Sequence, residues 1–71
     1  MTVYEFIRDT VMSGDLCIIV DGEEKFAVIK DSEKFHQNTM SIALAEKTVK
    51  EEIISKVGAN KDIILSTVYV E

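Results

Sequence analysis

One histidine and one cysteine are the side chains in this 71-residue chain best suited to ligate a soft metal or act as nucleophile and base, and each stands alone. His36 lies beside Gln37 and Asn38 in a polar stretch. A zinc or iron site needs three or four ligands at short spacing, which one imidazole does not supply, so His36 is expected to be structural or solvent-exposed. Cys17 sits between Leu16 and Ile18, without a neighbouring base or helix N-terminus to favour the thiolate, and reads as a buried, inert thiol. A Ser-His-Asp set is assembled in space, and nothing in the order of residues marks one. Gly14, Gly22 and Gly58 each stand singly at the end of an expected element, outside any phosphate-cradling pattern. The sequence therefore assigns no catalytic residue, no metal ligand and no cofactor, and the chain is expected not to be an enzyme.

Carboxylates are the abundant functional group. Thirteen Asp and Glu against eight Lys and Arg give a net charge of −5 and a pI near 4.7. Acidic pairs occur at Glu23-Glu24, with Asp21, Asp31 and Glu33 close by, and at Glu51-Glu52. Two carboxylates work as acid and base in glycoside hydrolysis, but so short a chain shows no cleft to hold a sugar between them. A turn and a solvated face account for these clusters structurally. The functional alternative is recognition, in which Asp21, Glu23, Glu24, Asp31 and Glu33 imitate phosphates to a basic, nucleic-acid-binding surface of another protein. Charge of this sign opposes direct binding of DNA or RNA, so the expected partner is a protein.

The elements that must position these groups form one domain, residues 1–71, because the length allows a single core. Hydrophobic residues at 46% and charged ones at 30% are a globular balance. A lone cysteine provides neither a disulfide nor a cysteine-based metal cluster to supplement the core. A homodimer or a partner protein is the expected supplement. No stretch approaches the roughly 20 apolar residues of a membrane span, and the lone thiol without a leader-like opening points to the cytoplasm.

Thr2 and Glu5 have the spacing of a capping box, Val3, Phe6, Ile7 and Val11 recur on one helical face, and Gly14 closes a helix expected over about residues 2–13. Leu16 to Val20 reads as a strand buried on both faces or nearly so, Asp21-Gly22-Glu23-Glu24 as a turn, and Phe26 to Ile29 as the returning strand. Residues Lys30 to Thr39 read as a loop anchored by Phe35. Met40 to Val57 admits two readings: a helix that gives way to a strand near Thr48, which is favoured, or one helix to Val57 capped by Gly58. Ile63 to Val70 is a strand apolar on both faces and hence central. The expected fold is α+β, a small antiparallel sheet of three to four strands packed with an N-terminal helix and a second helix in the middle of the chain.

The opening Met1-Thr2-Val3-Tyr4-Glu5-Phe6-Ile7 followed by a hairpin, and the ending Val57-Gly58-Ala59-Asn60 leading to Val68-Tyr69-Val70-Glu71, resemble small uncharacterised proteins encoded in phages and prophages of Firmicutes. The two stretches cover about a third of the chain. The middle departs from those proteins, which more often carry a glycine after the second strand and a shorter, proline-containing link. The resemblance implies a phage or mobile-element accessory protein, a context in which small acidic proteins often bind and block host machinery, anti-CRISPR inhibitors among them. The leading expectation is thus a binding protein that inhibits a host nucleic-acid-handling complex through its acidic hairpin or a sheet edge. The alternative is a structural, oligomer-forming accessory protein, and a third reading, a small enzyme or ligand-binding domain, requires a concave site with several polar groups.

Overall fold

A computed structural model of the chain describes residues 1–30 and 41–71. Thr2 Oγ1 accepts a hydrogen bond from the Glu5 amide at 3.2 Å, and Glu5 Oε1 accepts one from the Thr2 amide at 2.9 Å, so the capping box forms and helix α1 runs Val3–Thr10. The Thr2 amide holds the Glu5 carboxyl below its ordinary value. A carboxyl depressed by folding stabilises the fold above its unfolded pKa, and that contribution fades as acid protonates the group. The helix ends before Gly14 because Val11, already extended at φ −80° and ψ 130°, turns its side chain into the core. Lys30, only 6% exposed, seals the exit: its Nζ donates to the carbonyls of Ile7 at 3.2 Å and Arg8 at 2.7 Å. A cation on the last carbonyls satisfies orphan acceptors and opposes the helix dipole.

Five further elements follow: β1 Leu16–Asp21, β2 Glu24–Ile29, α2 Ile42–Ala45, β3 Val49–Val57 and β4 Ile63–Val70. The strands form one sheet in the order β2-β1-β4-β3. Both hairpin pairs are antiparallel, whereas β1 and β4 run parallel. The fold is α+β as expected, with a mixed sheet in place of a purely antiparallel one. The reason is topological. The chain leaves β2, passes through α2 and lays down β3 at the far edge, so β4 returns beside β1 in the same direction. β4 is central, as its apolar composition predicts. The ambiguity over Met40 to Val57 resolves as a one-turn helix capped by Ser41, whose Oγ accepts from the Leu44 amide at 3.2 Å, followed by a strand.

The core is a single cluster of Val3, Phe6, Ile7, Val11, Cys17, Ile19, Leu44, Val68 and Val70, with Tyr4, Phe26, Val28 and Val49 packed against it. All of its strand residues lie on the side that faces the helices. Leu16, Ile18 and Val20, on the other side of β1, are only half-buried, which corrects the expectation of a strand buried on both faces. A bulge between Val49 and Glu51 rotates Val49 onto the helix side, where simple alternation would have left it with Glu51 and Ile53. Among the described residues no helix is long and apolar enough to cross a membrane. Phe35 and His36 lie outside the described residues.

Lys30→Met keeps most of the buried stem but leaves two helix carbonyls without their charged donor. It should lower the unfolding free energy by about 2 kcal/mol, read as a reduced urea midpoint at unchanged slope. An unchanged midpoint would show that water caps the helix equally well.

Candidate functional site

The acidic hairpin is built from the register upward. β1 and β2 pair from Leu16↔Ile29 to Asp21↔Glu24, leaving Gly22 and Glu23 as a two-residue turn. Gly22 has φ +63° while Glu23 is not left-handed, the pattern of a type II′ turn, whose twist matches that of the flanking strands. Of the five carboxylates singled out from sequence, three are placed. Asp21 lies 3.3 Å from Lys47 Nζ in a partly exposed ion pair, which neutralises it locally. Glu23 and Glu24 are exposed at the tip. Asp31 and Glu33 lie outside the described residues. The second acidic pair is not a cluster, because Glu51 opposes Tyr69 and Glu52 opposes Val68, on opposite sides of the sheet.

Sequence reasoning missed a larger feature, the side of the sheet that the helices leave uncovered. Three rows cross it in the order β2, β1, β4, β3. The row nearest the acidic turn is Lys25, Val20, Tyr69, Glu51. The next is Ala27, Ile18, Thr67, Ile53, and the third is Ile29, Leu16, Leu65, Ser55. Ile63 and Val57 extend it along the β3–β4 hairpin. Ile29 is 62% exposed, Ile63 47% and Ile53 44%. A contiguous apolar face of this kind on a small protein marks a contact surface. The signal was present in the sequence: α1 supplies three buried apolar residues and Val11 just past its end a fourth, too few to cover strands that are apolar on both sides.

Between the two features lies an open depression of about 380 Å³, lined by Val20, Gly22, Lys50, Glu51, Tyr69 and Val70. It offers one ammonium, one carboxylate and one phenol at the end of the apolar face. Among the described residues no three His, Cys, Asp or Glu side chains converge as a metal site would require. Cys17 is fully buried beneath α1, and burial pushes its thiol up to about 11. No protein-family model, curated protein or solved structure matches the chain.

The Cys17 environment has a direct chemical readout. In native buffer at neutral pH, its reaction with an aromatic disulfide reagent should be on the order of a hundredfold slower than after unfolding in guanidinium, since attack requires both opening and a thiolate. A native rate equal to that of the unfolded chain would contradict the burial.

Proposed function

We propose that the chain is a non-enzymatic accessory protein of a phage or mobile element that acts in the cytoplasm by binding protein, inhibiting a host nucleic-acid-handling complex through that complex's basic surface. The observation that carries this reading is the pair of exposed carboxylates, Glu23 and Glu24, at the tip of a hairpin anchored in the sheet. A two-residue turn holds them with little freedom to lose on binding, and preorganised charge is what a mimic of successive phosphates requires. Asp21 contributes less than its position suggests, because Lys47 already pairs with it. The net charge of −5 steers the chain toward a basic surface and away from nucleic acid itself.

Charge-driven contact of exposed groups is screened within about 10 Å at 0.1 M salt. Tagged protein should therefore retain a basic nucleic-acid-handling complex from bacterial lysate at about 50 mM salt and release it at about 300 mM, as screening over that range dictates. The Glu23→Lys, Glu24→Lys double variant should retain nothing at either salt. Retention indifferent to salt and to the double variant, or no retention at all, would contradict the reading.

A further inference from the structure

The uncovered side of the sheet has an order that its apolar character alone does not require. In each row the two edge strands carry unlike residues. Lys25 on β2 stands at the opposite end from Glu51 on β3, Ala27 from Ile53, and Ile29 from Ser55. Positive is matched with negative and small with large in all three rows. The two middle positions of the rows are the half-buried Val20, Ile18, Leu16, Leu65 and Thr67 together with Tyr69, 38% exposed.

From this we infer that the uncovered sheet face binds a second copy of the chain, face to face, about a two-fold axis that runs parallel to the strands between β1 and β4. Such an axis lays β2 of one copy over β3 of the other at the same height along the strands. Lys25 then meets the partner's Glu51, Ala27 meets the partner's Ile53, and Ile29 meets the partner's Ser55, each contact occurring twice, as an isologous interface requires. A two-fold axis across the strands would instead set Lys25 over the partner's Ile29 and Ile53 over the partner's Ile53, burying a charge on an apolar side chain and large on large. Packed sheets cross at about 30°, and with edge strands about 7 Å from the axis this displaces the facing edge residues by about 4 Å, within reach of a lysine and a glutamate.

The size of the face fits this occupant. Four strands about 4.8 Å apart, whose shared rows span about six residues at about 3.3 Å per residue, make a footprint of roughly 19 Å by 20 Å. Two such faces, with the relief of their side chains, come to the region of 1,000 Å² in total, about where specific interfaces begin. The β3 edge of the sheet is the less suitable surface. β3 carries a bulge at its start and two exposed lysines, Lys50 and Lys56, features that oppose strand-to-strand pairing. The dimer also sets where its two acidic turns lie. An axis parallel to the strands preserves position along them, so both Gly22–Glu23 turns project from the same end of the dimer.

Sedimentation equilibrium of the full chain from about 1 to 300 µM is the test, because a self-associating fold responds to its own concentration. The mass should rise toward twice the 8.0 kDa of one chain. Ile53→Lys, at the centre of the β3 contact, should weaken association at least about tenfold by placing a charge against apolar surface. Ile54→Lys, on the helix side of the same strand and 52% exposed, should leave it unchanged. Lys25→Glu and Glu51→Lys should each weaken the dimer about tenfold by turning two attractions into repulsions, and the double exchange should restore it to within about threefold. All four positions are exposed, and circular dichroism melts verify that each variant is folded. A monomer at every concentration would overturn the inference and assign the face to a different protein. Equal weakening by the two isoleucine variants, or a double exchange no better than its singles, would overturn it as well.

Discussion

The structure depends on one constraint: two short helices must cover a four-stranded sheet, and they suffice for one side of it. α1 has eight residues and α2 four, about 12 Å and 6 Å of helix. What they cover is packed tightly. Phe6 and Ile7 lie fully buried with Cys17, Ile19 and Val68, and each large apolar side chain so placed contributes about 1.5–3 kcal/mol relative to exposure. No material remains for a second layer among the described residues. Among the described residues the fold thus leaves Ile29, Ile53, Val57 and Ile63 exposed on the other side of the sheet.

That division of the sheet determines the rest of the molecule. α1 must sit at one angle to fill the core, and its two ends are fastened separately, by the capping box at Thr2 and by Lys30 at the C-terminal carbonyls. The start of the chain is tied to the entry of β3: Thr2 bridges Thr48, the Val3 amide donates to Lys47 carbonyl at 2.9 Å, and the Val49 amide donates to the Met1 carbonyl at 2.9 Å. The same entry holds Lys47 against Asp21. Helix, β3 and acidic hairpin are therefore one connected frame. The uncovered face and the turn beside it are presented by rigid elements, which suits recognition better than a mobile loop does.

The local elements were legible in the sequence because their signals are local. The capping box, the Asp21-Gly22 turn and the β-branched runs each act within a few residues, and α1, the first hairpin and β4 appear where they were expected. Helix length was overestimated because Gly14 looked like the terminator, whereas the helix ends where Val11 turns into the core and is capped there by Lys30, a residue far off in sequence. The parallel pairing of β1 with β4 and the bulge that turns Val49 inward depend on how distant strands meet, which periodicity does not encode. The acidic hairpin was legible as a charge cluster, although its internal division was not. Pairing with Lys47 separates Asp21 from Glu23 and Glu24, and sequence spacing carries no trace of that. The uncovered face escaped notice for a related reason: an apolar strand residue looks the same in sequence whether a helix lies over it or water does.

This sheet has one side closed within the chain and, in the proposed dimer, the other closed by a second molecule. Solvent paramagnetic relaxation of isoleucine methyl groups, followed by NMR from low micromolar to near-millimolar protein, tests it residue by residue. If the claim holds, the methyls of Ile18, Ile29 and Ile53 lose their relaxation enhancement as concentration rises, while those of Ile42 and Ile54 keep it. Enhancement unchanged at the first three, or lost equally at all five, would contradict it.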